Sequence, residues 1–66
     1  MTFETWVNKV DSAFNEALGI SHEEWPDQTY FDWFEDGIEP MEAVAYAVEN
    51  EYGFAACCEL GLEGWL

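Results

Sequence analysis

Carboxylates dominate the chemistry this chain has to offer. Fifteen Asp and Glu stand against one Lys, one His and no Arg in 66 residues. Paired acids do glycosidase-type work when two of them share a substrate cleft in divergent environments, and so short a chain leaves little room for a cleft. His22 has no Ser or Cys nucleophile at a fixed spacing, and its place in a helix-start sequence suits an ordinary exposed first-turn residue. The segment Asp32-Trp33-Phe34-Glu35-Asp36-Gly37 has the outline of a calcium loop. Aligned on its glycine, Asp32 and Asp36 fall at ligand positions, but loop position 3 falls on Phe34 and position 12 on Ala43, where a bidentate Glu belongs. Cys57 and Cys58 are adjacent, so a disulfide between them would be strained and would close no loop. With His22 they also lack the paired spacing of a zinc site, and they read as reduced packing residues of an apolar helix. Catalysis, a metal site and a cofactor are therefore not expected.

What remains is the charge itself. The formal net charge is -14, yet 50% of the chain is hydrophobic and 18% aromatic. Disordered acidic tails lack that aromatic content because they cannot bury enough apolar surface to offset chain entropy, so this chain is expected to fold. At this size a folded chain exposes roughly 4,300 Å² and buries about 60% of its unfolded surface, which fits one small domain spanning residues 1–66. Solubility needs a net charge of only about 2 to 8 in magnitude. The sign excludes direct nucleic-acid binding, which needs Lys and Arg against phosphate, and it repels an anionic membrane surface. A charge-reading partner must be basic. No apolar run approaches the roughly 18 residues of a membrane span, and Met1-Thr2-Phe3-Glu4 lacks the basic start of a signal peptide, so a cytoplasmic location is expected.

The elements that must position these acids are punctuated by Gly and Pro. Phe3, Trp6, Val7, Val10, Phe14, Ala17 and Leu18 recur at spacings of three and four, which predicts a first helix with Thr2 as N-cap and Gly19 at its end. Ser21-His22-Glu23-Glu24 is a capping-box pattern, limited to a short turn by Pro26. Asp27 is a candidate N-cap for a third segment that points Tyr30, Phe31, Trp33 and Phe34 inward and Asp32, Glu35 and Asp36 outward, ending at Gly37. Pro40 suits the first turn of a fourth helix, with Glu39 and Glu42 near its positive end and a stripe of Met41, Val44, Ala45, Val48 and Tyr52 up to Gly53. A short Ala/Cys helix follows, and the apolar end Trp65-Leu66 is expected to dock on the core. No segment shows sustained period-two alternation. The expected fold is an all-α single-domain bundle of three main helices plus one or two short ones.

Placed on these helices, the acids form a surface. Glu42 and Glu49 flank Tyr46 along the fourth helix, about 10 Å apart at a rise of roughly 1.5 Å per residue. Asp32, Glu35, Asp36 and Glu39 put four charges within eight residues. The near absence of opposite charges at i,i+4 costs stability. Duplex DNA is a comparable object, a rigid array of regularly spaced negative charges. In size, charge imbalance and acidic helical segments (Asp32 to Glu42 and Glu49 to Glu51) the chain resembles the small acidic DNA-mimic inhibitors of phages and mobile elements. These are anti-restriction and anti-CRISPR proteins, and among them it looks most like one acting on a type I complex. The resemblance implies a non-enzymatic inhibitor in the host cytoplasm, a monomer or weak homodimer. It would place Asp32, Glu35, Asp36, Glu39, Glu42 and Glu49 against a basic DNA-binding protein or CRISPR effector complex. The alternative is a protein-protein adaptor or antitoxin-like module that binds through an apolar or aromatic patch.

Overall fold

The computed structural model describes all 66 residues, and every regular element in it is helical. Two long helices, α1 (Phe3–Leu18) and α3 (Pro40–Tyr52), and two short ones, α2 (Tyr30–Glu35) and α4 (Phe54–Glu59), are joined with 3-10 turns at His22–Glu24 and Glu63–Trp65. The all-α single-domain expectation is met.

The termini of α1 form as the sequence dictates. Thr2 Oγ1 accepts from the Thr5 amide at 3.2 Å, satisfying a donor that the first helical turn leaves free. At the other end Gly19 takes φ 74°, a left-handed value costly for residues with a Cβ, and its N–H donates to the Asn15 carbonyl. The face between them buries Trp6, Val10, Ala13 and Phe14.

Helix α3 is the centre of the molecule. It buries Ala43, Val44, Ala45, Ala47 and Val48, an arc of about 200° at 3.6 residues per turn, so two faces are covered at once. Alpha1 lies along one face and α4 along the other, and the alanines let both backbones approach closely. On the α4 side the buried Cys57 thiol donates to the Ala45 carbonyl at 3.4 Å, and Leu62 closes the end of the core.

Five details depart from the sequence reading. Asp27 does not cap α2, which starts two residues later after Thr29. The Gln28 side chain is the reason, since it reaches the Pro26 carbonyl, Glu51 and Asn50 and ties residues 26–29 across α3 in a non-helical path. Phe31 is not inward but 53% exposed. At 100° per residue Tyr30, Trp33 and Phe34 share one arc of α2, whereas Phe31 projects beside Glu35. Tyr52 is likewise exposed at the end of α3, resting edge-on against Trp25 rather than joining the buried stripe. Finally, the chain end docks through Leu62, which leaves Trp65 and Leu66 partly open, and Cys58 faces solvent while only Cys57 packs.

Candidate partner-binding surface

The acidic segment turns a corner between α2 and α3 that is held by backbone geometry. Alpha2 ends with Gly37 at φ 79°, where the Gly37 N–H donates to the Phe34 carbonyl and the Ile38 N–H to the Trp33 carbonyl. Two residues on, Pro40 opens α3, and the Glu42 carboxylate reaches back to the Glu39 amide at 3.4 Å. The corner is pinned from below. Trp6 of α1 donates its indole N–H to the Ile38 carbonyl at 2.8 Å, and its ring packs on Phe34 with centroids 5.8 Å apart. Asp36 and Glu39 therefore stand on either side of a residue anchored to the core.

Of the six acids singled out from the sequence, Asp32, Glu35, Asp36 and Glu39 gather around this corner, all exposed. Glu42 lies one turn into α3 and is half-buried, because it serves as both helix cap and acceptor for the Tyr46 hydroxyl at 3.0 Å. That bond, together with burial and the nearby charges of Glu42 and Glu49, pushes the Tyr46 hydroxyl up. Tyr46 in turn meets Trp33, with ring centroids 5.7 Å apart, so the acidic stripe of α3 is fastened to α2. Glu49 sits apart from the corner, two turns further along and near the Cys57 thiol of α4, where its charge helps burial push that thiol up. The structure thus brings five of the six together at the corner and leaves Glu49 two turns further along the same stripe of α3 as Glu42.

The placement of acids along each helix axis is informative. Carboxylates near a helix C-terminus meet the negative end of the peptide dipole, where Lys or Arg is favourable. Glu16 ends α1, Glu35 and Asp36 end α2, Glu49 and Glu51 end α3, and Glu59 ends α4, with no basic residue in any of these last turns. Only Asp11 takes part in an ion pair, with His22.

That pair was not foreseen. His22 is half-buried rather than a free first-turn residue, donating both its amide (2.9 Å) and its ring Nδ1 to Asp11 and resting edge-on against Tyr30. Asp11 thereby caps the 3-10 turn from the preceding helix. Burial pushes the Asp11 carboxyl up, but the hydrogen bonds and charge of His22 outweigh it and hold the carboxyl below its ordinary value of 3.8. Burial also pushes the neighbouring Tyr30 hydroxyl up to about 12, with Asp27 and Asp11 adding repulsion. Sequence separation hid the pair, because nothing local marks Asp11 as the cap of a turn eleven residues on. The exposed Phe31 was missed for a different reason. Its hydrophobicity outweighed the helical angle that places it among the acids.

Fold and surface together define a class of protein, a small all-α acidic domain that displays its carboxylates almost entirely unpaired over an aromatic core. Its relatives are phage proteins. Over 52 residues the chain is 35% identical to the Gene 87 protein of Mycobacterium phage L5, a match covering 79% of this chain and 98% of the relative. Over 53 residues it is 34% identical to the Gene 87 protein of Mycobacterium phage D29, covering 80% of this chain and 98% of the relative. The chain belongs to this family of phage Gene 87 proteins. No protein-family profile and no solved structure matches it.

Proposed function

We propose that the protein is a non-enzymatic inhibitor that presents a DNA-like array of carboxylates to a basic, nucleic-acid-binding protein of the host and blocks DNA binding there. One observation carries the reading: acids occupy the last turn of every α-helix, where they cost stability, and none of those acids is in an ion pair. A stable fold would place bases there, so the charge is retained for something outside the chain. Kinship with phage proteins supports a target in the infected cell, and the resemblance to anti-CRISPR proteins makes a type I CRISPR surveillance complex the first candidate. Asp32, Glu35, Asp36, Glu39 and Glu42 form the leading face, with Glu49 extending it, and the site of action is the host cytoplasm.

A second reading rests on the exposed side chains of Tyr52, Phe54, Trp65 and Leu66. Exposed apolar groups of this kind suit an adaptor or antitoxin-like module that binds through apolar contacts. The two readings separate by experiment. Tagged protein is used to capture partners from a host lysate, and the captured complex is then challenged with duplex DNA over a salt series. Under the charge-mimic reading DNA and protein exclude one another and affinity falls steeply with salt, because screening removes the long-range attraction. A partner that binds DNA undiminished under saturating protein, with losses confined to Tyr52 or Trp65 substitutions, would establish the adaptor instead.

A further inference from the structure

Phe31 is the aromatic of α2 left most open to solvent. Tyr30, Trp33 and Phe34 already pack against the core, whereas Phe31 touches only the edges of the cluster. Its ring lies 5.1 Å from Phe3 and 6.3 Å from Phe34, and 53% of the residue is open to solvent. A helix whose sole task was to dock would carry a polar residue there. Instead the phenyl group shares its side of α2 with Glu35, an exposed carboxylate one turn on. Asp32 and Glu4, next in sequence to Phe31 and to its neighbour Phe3, are also exposed and add to the negative charge of the region.

We infer that this face is a seat for arginine: a guanidinium of a basic protein partner stacks on Phe31 while its N–H groups pair with the carboxylate of Glu35. The inference rests on the basic-partner reading above and adds the side chain that reads the surface. Two physical points select arginine. A guanidinium is planar and weakly hydrated, so it covers an aromatic ring while keeping its donors free for carboxylates. Its fork gives two parallel bonds to a carboxylate, which an ammonium does not. A second copy of this chain is disfavoured as occupant, since it brings another -14 and a single Lys. Arginine-rich surfaces are also what DNA-binding proteins present to phosphates, so the same side chains would meet Phe31 in place of a sugar-phosphate backbone.

The test uses the full chain and two probes of equal charge, capped hexa-arginine and hexa-lysine peptides, titrated calorimetrically at 150 mM NaCl. The wild type should bind the arginine peptide about fivefold or more tightly than the lysine peptide. In Phe31→Leu, which keeps an apolar side chain against Phe3 and Phe34, the preference should shrink by about threefold, because arginine-peptide affinity falls more than lysine-peptide affinity. As a readout independent of any variant, the arginine δ-methylene protons should move upfield on binding to the wild type through the ring current of Phe31. An undiminished preference in Phe31→Leu, or no upfield shift, overturns the arginine seat while leaving the basic-partner reading standing. Failure of both peptides to bind overturns the two together.

Discussion

At the scale of single residues the Asp11–His22 pair is a local device with a definite pH signature. Asp11 has its carboxyl held below 3.8 in the folded chain, so its stabilising contribution is present above the unfolded value and disappears as pH falls through the folded one. Asp11→Asn keeps an acceptor for the His22 amide but removes the charge, so it should lower stability at pH 7 by a few tenths and up to about 1 kcal/mol, the range for a partly exposed charge pair, with a fall in Tm of a few degrees. At acid pH, as the folded-state carboxyl takes up its proton, the gap between the two proteins should be smaller. Thermal unfolding followed by circular dichroism at both pH values checks this, and a constant gap would mean that the carboxylate charge plays no part. The thiols make an independent pair of markers. Cys57 is fully buried, and burial pushes its thiol up, while Cys58 is exposed. Iodoacetamide at pH 8 should accordingly modify one thiol in the native protein, identified as Cys58 by peptide mass, and the second only in denaturant.

At the scale of elements the corner between α2 and α3 controls how rigidly the acids are presented. Trp6 holds it through one buried hydrogen bond to Ile38, so Trp6→Phe keeps most of the ring packing and leaves that carbonyl without its donor. The expected loss is about 1 to 2 kcal/mol in urea unfolding, with faster amide exchange concentrated around residues 36–42. Uniform exchange along the chain would place the corner's rigidity elsewhere. Much of this architecture is legible in the sequence, because Gly, Pro and caps are local signals. Thr2, Gly19, Gly37, Pro40 and Gly53 each mark an observed boundary. The N-terminus of α2 is not legible, since it is decided by Gln28 bonding across to Asn50 and Glu51 in another helix. For the candidate surface, the acids and their clustering can be read directly, and so can the i,i+4 placement of Phe31 with Glu35. What cannot be read is the Trp33–Tyr46–Glu42 chain that ties α2 to α3, because such contacts exist only once the helices have packed.

At the scale of the whole molecule, fourteen uncompensated charges lie on a surface of 4022 Å² and within extents of 31 × 22 × 18 Å. At about 10 mM salt the screening length is roughly 30 Å, so every charge feels every other, while at 1 M it is about 3 Å and only neighbours interact. Raising NaCl across that range should increase Tm by at least about 5 °C, the shift given by relieving about 1 kcal/mol of repulsion at this chain length. The same repulsion offers a way to separate function from folding. Replacing Glu35, Asp36 and Glu49 by Lys changes the charge by 3 × 2, from -14 to -8, and puts bases in the last turns of α2 and α3, where the helix dipole favours them. This triple variant should melt above the wild type at low salt, yet should no longer exclude DNA from the captured partner. Loss of activity in a more stable protein has no misfolding explanation, and it is the trade expected where charges are kept against the interest of the fold. If the variant is stabilised and still competes with DNA, the carboxylates at these helix ends are not the surface that binds.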